Sequence, residues 1–185
     1  MQKWKKFWLT DRYLQAKQIN FELVDNYIDF QPKTILDIGC GFARESQLFQ
    51  EKYSSNLFLL DGNYNQSTDK SRDISYGPSD NFMFYNHVNE LKYHWDSQNM
   101  KYTFVNGNDP FIRNSVKFDL IYSFLSCGFH YPASTYKDLI LKHSTPDTVI
   151  IMDIRHIKRQ RDIEIVDIVA KDRKSQKLKI KFLAQ

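Results

Sequence analysis

The chain has 185 residues, of which 42% are hydrophobic and 15% aromatic, which supports one buried core and excludes a disordered polymer. Its 26 basic and 22 acidic side chains leave a formal net charge of +4, a small excess for a protein whose main partner is a phosphate backbone. No apolar run approaches the length of a membrane span, and the opening MQKWKKFWLTDRY is charged and lacks the apolar centre of a signal peptide.

Residues 1–30 read as a basic, aromatic arm (Trp4, Phe7, Trp8) followed by a helix. Thr10 or Asp11 supplies the N-cap, and Leu14, Phe21, Val24 and Ile28 recur at helical spacing up to about Phe30. Pro32 then breaks the helix. From there the signals alternate: a strand over Lys33–Ile38, a helix over Ala43–Tyr53, a strand over Asn56–Leu60. A polar, turn-rich stretch fills 63–80, and a long helix is expected over Asn81–Asn99. Strands are predicted at Lys101–Val105, Phe118–Ser123 and Thr148–Ile154, with a helix over Ser134–His143 before the last of them.

This alternation predicts an α/β fold: a Rossmann-like, doubly wound, mostly parallel sheet with helices on both faces. The connection around His156–Asp162 is too short for a full helix. Ile163–Lys171 and Gln176–Leu183, joined across Asp172–Ser175, then read as a C-terminal antiparallel hairpin at the sheet edge. A single domain is expected over 1–185, made of an arm and helix (1–30), an α/β core (33–154) and the hairpin (161–185).

The basic residues from Arg155 to Lys181 alternate with apolar ones, as on a solvated sheet face rather than a nucleic-acid patch. Cys40 and Cys127 fit neither a metal-ligand spacing nor a disulfide framework, so two reduced thiols in a cytoplasmic protein are expected. His87 and His94 share one predicted helix seven positions apart without carboxylates or thiols at ligand spacing, so no metal site is expected.

The informative segment is Asp37-Ile38-Gly39-Cys40-Gly41-Phe42-Ala43-Arg44. An apolar strand ends in glycines and passes directly into a helix, where backbone can approach a ligand and helix N–H groups are free. In open α/β sheets this crevice is where ligands bind. The dinucleotide fingerprint needs a third glycine where Arg44 stands. The pattern Asp-x-Gly-x-Gly-x-(Gly or Ala) fits instead, with Asp37, Gly39, Gly41 and Ala43. On these residues the chain resembles the class I S-adenosylmethionine-dependent methyltransferases, from about residue 20 to the final hairpin.

The resemblance implies S-adenosylmethionine as cofactor and methyl transfer as activity. Asp37, Gly39, Cys40, Gly41 and Ala43 would form the loop around the methionine portion. Asp61, followed by Gly62, closes the second strand where a carboxylate can accept bonds from ribose hydroxyls. By position, Asn108 or Asp109 would hold the adenine amino group, and Ser123 completes the set. A plain Asn-Gly/Asp-Pro turn explains Asn106–Pro110 equally well. Asn108–Phe111 also looks like the tetrapeptide of DNA amino-methyltransferases, but follows the third strand instead of the fourth.

The run Gly128-Phe129-His130-Tyr131-Pro132 is similar to that of sugar or small-metabolite O-methyltransferases. There His130 is a candidate general base and Tyr131 a residue that orients substrate. A packed, hydrogen-bonded histidine is the competing reading. The expected partner is a small molecule, with no membrane and no nucleic acid. Two other functions stay open at this point: a nucleic-acid methyltransferase using the basic hairpin, and a non-catalytic S-adenosylmethionine-binding protein.

Overall fold

The structure is a computed structural model that describes residues 8–63, 86–160, 162–171 and 175–183. Trp4 and Phe7, the polar stretch from residue 64, the first residues of the helix expected at Asn81, and most of the Asp172–Ser175 turn lie outside them.

Helix α1 spans Asp11–Tyr27, with Thr10 as its N-cap accepting from the Tyr13 N–H. Its buried stripe is Tyr13, Lys17, Phe21 and Val24, one residue every three or four. Leu14 falls off that stripe and is 40% exposed, contrary to the sequence expectation. Strand β1 (Thr34–Ile38) leads through the glycine loop into α2 (Arg44–Tyr53), and β2 (Asn56–Asp61) follows. Helix α3 is Val88–Ser97, shorter than the expected 81–99. It starts late because His87 is extended (φ −100°, ψ 115°) and the Asn63 side chain caps the Val88 N–H at 3.0 Å. It ends before Asn99, whose φ of 55° is left-handed.

Strands β3 (Tyr102–Asn106), β4 (Leu120–Ser123) and β5 (Val149–Ile154) complete the parallel part. The helix expected at Ser134–His143 divides into a 3-10 turn, Ala133–Tyr136, and α4, Lys137–His143. A short 3-10 turn, Ile157–Arg159, bridges to the hairpin β6 (Ile163–Lys171) and β7 (Gln176–Phe182). The seven-stranded sheet runs β3-β2-β1-β4-β5-β7-β6. The first five of these strands are mutually parallel, and β7 is antiparallel to both β5 and β6.

Strand periodicity divides the core in two. Ile35, Leu57, Leu59, Leu120 and Ile151 join Phe21 and Val24 of α1, Phe49 of α2, and Leu91 and Trp95 of α3. Leu36, Leu60, Ile121, Ile150 and Leu178 face Tyr136 and Ile140 on the opposite side. On β7, Leu178, Ile180 and Phe182 are buried while the lysines between them point the other way. Lys177 pairs with Asp153 at 2.9 Å, and Lys179 lies 5.8 Å from the Tyr27 ring centre. Lys177, Lys179 and Lys181 therefore share one face of β7, with Lys179 lying against α1 through Tyr27.

Candidate active site

The carboxyl ends of β1, β2, β3, β4 and β5 converge on one edge of the sheet, where their loops meet. After β1 the backbone turns left-handed at Gly39 (φ 72°) and Gly41 (φ 52°). A Cβ on Gly39 would collide with Ser126 Oγ, and one on Gly41 would come within 3.1 Å of the Trp8 ring. Gly39 requires glycine for space as well as backbone conformation, whereas a side chain at Gly41 would be strained and would press on the Trp8 ring. The loop is pinned by the Gly39 and Cys40 N–H groups, which both donate to the Leu60 carbonyl (2.7 and 3.2 Å). Ala43 is also left-handed (φ 52°, ψ 37°) and forms the N-cap of α2, with its methyl buried in the core. Burial pushes the Cys40 thiol pKa well up, with the charges of Asp61 and Asp37 adding to it. Cys40 is therefore a buried protonated thiol.

Asp61 ends β2 and is only 3% exposed. Its Oδ2 accepts the Gly41 N–H at 2.9 Å and Asn86 Nδ2 at 3.0 Å, and its Oδ1 accepts the Gly62 N–H at 2.8 Å. Burial raises its pKa, and those three hydrogen bonds oppose the rise. The carboxylate thus ties the glycine loop to the end of β2. Asn86 carries no signal in the sequence because it follows Asp61 by 25 positions, across a stretch without periodicity. Its Oδ1 is buried without a hydrogen-bond partner.

Asp37 points elsewhere. Its Oδ2 accepts from Ser46 Oγ (2.8 Å) and Tyr122 Oη (3.1 Å) beneath the start of α2. Burial is the chief reason its pKa rises to about 7, with the Glu45 charge adding to it. Glu45 in turn pairs with Lys17 of α1 at 2.8 Å and accepts from Asn20 Nδ2 at 3.0 Å. Burial works against the Lys17 charge, but Glu45 outweighs it and holds the ammonium above its ordinary value. Lys17 has no sequence signal either. On periodicity alone it is one more polar residue of a surface helix.

After β3, Asn106 Oδ1 accepts the Asn108 N–H at 3.1 Å, and the Gly107 carbonyl accepts from Tyr136 Oη at 2.9 Å. Asn108 is half-buried and Asp109 is exposed. After β4, Ser123 Oγ donates to the Ile38 carbonyl and accepts the Cys127 N–H, each at 2.8 Å, which locks β4 to the end of β1. Ser126 Oγ lies over Gly39 and shares a hydrogen bond of 2.8 Å with Tyr131 Oη. Tyr131 is 3% exposed, and burial pushes its pKa well up, so its phenol faces the glycine loop protonated.

His130 is half-buried, with its backbone N–H donating to the Ser126 carbonyl at 2.8 Å and its ring edge-on to Phe129. Burial lowers its pKa, and the Arg155 charge lowers it further, so the imidazole is neutral near pH 7. The Arg155 guanidinium lies 5.4 Å from the Phe129 ring centre. Asp153 anchors this corner: Oδ2 accepts the Leu125 N–H at 3.0 Å while Oδ1 takes Lys177. Sequence reasoning misses Asp153 and Arg155 because nothing in their spacing marks them.

No protein-family model matches the sequence, and no curated protein matches it. Solved structures do match in shape. A methyltransferase from Pyrococcus furiosus superimposes with TM-score 0.57 at 10% identity, over 89% of this chain and 80% of that one. A ribosomal protein L11 methylase from Lactobacillus delbrueckii subsp. bulgaricus gives 0.54 at 14% identity, over 91% and 79%. The PH0226 protein from Pyrococcus horikoshii OT3 gives 0.54 at 14% identity, over 81% and 61%. The chain has the class I methyltransferase fold. It spans 47% of the plantazolicin methyltransferase BpumL, with TM-score 0.48 and 18% identity.

The site of this methyltransferase fold suits a nucleoside-bearing cofactor on two grounds. Gly39 and Gly41 put no side chain on the loop, so its backbone can be approached closely. Asn86 offers a buried acceptor with no donor beside the Asp61 carboxylate. Among the described residues no helix is long and apolar enough to cross a membrane.

Proposed function

We propose that the chain binds S-adenosylmethionine and transfers its methyl group to a small-molecule acceptor. The observation that carries this reading is the buried Asp61 carboxylate, bonded to the glycine loop through the Gly41 N–H in a β3-β2-β1-β4-β5-β7-β6 sheet. Asp61 and Gly62 take the ribose, Gly39 to Ala43 border the methionine portion, and Asn108 or Asp109 reads the adenine edge. Asp37 and Ser123 serve the same site from behind, holding α2 and β4 against the loop. When bound, the cofactor supplies an electrophilic methyl group on a sulfonium centre, and the protein's task is placement and exclusion of water.

For a hydroxyl acceptor, the neutral ring nitrogen of His130 takes the hydroxyl proton as the oxygen attacks. Its lowered pKa keeps it ready as a base at neutral pH. Tyr131, held by Ser126, orients and shields rather than accepting a proton. A small acceptor is favoured over a polyanion because Lys177 is engaged by Asp153 and Lys179 lies over Tyr27.

Calorimetry tests this reading. S-adenosylhomocysteine should bind and NAD should not, and Asp61→Ala should weaken S-adenosylhomocysteine by about 1.5–3 kcal/mol, the worth of hydrogen bonds to a charged group. Binding of NAD with no response to S-adenosylhomocysteine would overturn it. A screen of cell metabolites for mass shifts with isotopically labelled S-adenosylmethionine then identifies the acceptor.

A further inference from the structure

We propose that Asn86 is a cofactor-binding residue, and that the ribose diol is divided between Asp61 Oδ1 and Asn86 Oδ1. The proposal rests on the cofactor reading given above. A carboxylate offers about four lone-pair sites, two on each oxygen. Asp61 Oδ2 already receives two donors, the Gly41 N–H and Asn86 Nδ2, and Oδ1 receives one, the Gly62 N–H. One site is left, on Oδ1. Asp61 can therefore hold one further hydroxyl without giving up a bond to the glycine loop. It cannot hold two.

Asn86 supplies the other acceptor. Its Nδ2 donates to Asp61 at 3.0 Å, which fixes the amide orientation, because a flipped amide would set its oxygen against the carboxylate. Oδ1 must then point away from Asp61 Oδ2, and it is buried with no partner. Such a group is disfavoured unless a donor reaches it. Asp61 and Asn86 thus carry one open acceptor each on two hydrogen-bonded neighbours, matching in number the two donors of a vicinal diol.

The backbone around Asn86 supports a built position. Asn63, two residues after Asp61, caps the Val88 N–H two residues after Asn86. The end of β2 and the start of α3 are thereby joined twice, by Asp61–Asn86 and by Asn63–Val88.

The test is calorimetry on the full chain with S-adenosylhomocysteine and its 2′-deoxy and 3′-deoxy congeners. In the wild type, loss of either hydroxyl should weaken binding by about threefold or more, the usual range for one hydrogen bond. In Asn86→Ala one of the two penalties should disappear while the other persists. A purely structural Asn86 would lower affinity and thermal stability and leave both penalties in place, and that result overturns the proposal. So does a wild type that binds either deoxy congener as tightly as the parent. Asn86→Leu, which keeps the side-chain size and has no acceptor, gives the same comparison if the alanine variant does not fold or does not bind. A wild type that binds no S-adenosylhomocysteine overturns the cofactor reading, whereas binding with unchanged penalties in the variants overturns the role of Asn86 alone.

Discussion

Replacing Asp37 by Asn should make the protein more stable as pH rises. The Asp37 carboxyl is buried, and burial with the Glu45 charge raises its pKa from 3.8 to about 7. A group that holds its proton more tightly when folded contributes stability below the unfolded value of 3.8, and loses it as pH rises through about 7. Every tenfold gain in proton affinity corresponds to about 1.4 kcal/mol, so ionising Asp37 in the fold is disfavoured by at most about 4 kcal/mol. Asn is neutral throughout. Ser46 and Tyr122 both address Oδ2, so an amide oxygen can replace Oδ2 and the NH₂ can replace Oδ1 without opposing two donors. Urea unfolding followed by tryptophan fluorescence from pH 4 to pH 8 gives the difference between variant and wild type. Contributions common to both proteins, such as Lys17–Glu45 and Asp153–Lys177, cancel in it to first order. The difference should shift toward the variant by up to about 4 kcal/mol, most of it before pH 7. A difference flat across this range would refute the reasoning and mean that Asp37 is ionised in the fold at little cost.

With the acceptor identified by the labelled-cofactor screen, kcat should rise with pH through one step below 6.5, since burial and Arg155 lower the His130 pKa. His130→Ala should remove that step and cut kcat about 10²–10⁴-fold with S-adenosylhomocysteine affinity intact, and Arg155→Met should move the step upward; an unchanged profile in both variants would discard the general base. Ala43→Gly relieves a left-handed alanine, worth about 1–2 kcal/mol, but loses a buried methyl and loosens the unfolded chain, so chemical denaturation should place it within about 1 kcal/mol of wild type. A loss above about 2 kcal/mol would show that the Ala43 methyl matters more than the strain it bears.

Strands β1, β2, β3 and β5 are legible in the sequence because each is a short apolar run bounded by turn residues, and their observed ends differ from the expected ones by a residue at most. The glycine loop and the carboxylate at the end of β2 are legible for the same reason: both sit at strand ends, where local chemistry and position coincide. Helix α3 reads too long from the sequence because the run Phe82-Met83-Phe84-Tyr85 ahead of it contains no glycine or proline to mark a start. Its true start is set by the Asn63 side chain, reaching across from the end of β2. Periodicity alone puts Leu14 in the core, whereas Tyr13 and Lys17 hold the buried stripe at the N-terminal end of α1.

Lys17 shows most clearly what a linear reading misses. A lysine in an amphipathic helix reads as solvent-facing, yet this one is buried because Glu45 waits for it at the first turn of α2. Glu45 is itself fixed by Asn20, one turn further along α1. Ser46, the next residue of α2, reaches Asp37 on β1 and Tyr122 on β4. The polar chain from α1 to β1 therefore passes through two residues of the first turn of α2, immediately behind the glycine loop. Trp8, just ahead of α1, covers Gly41 and meets Phe42 edge-on at 5.1 Å. Removing one charge of a buried pair is more damaging than replacing both with apolar groups, since a lone ion is left without water or partner. It follows that α1 is part of what holds the glycine loop in shape, and that its sequence is constrained by α2 as much as by its own periodicity.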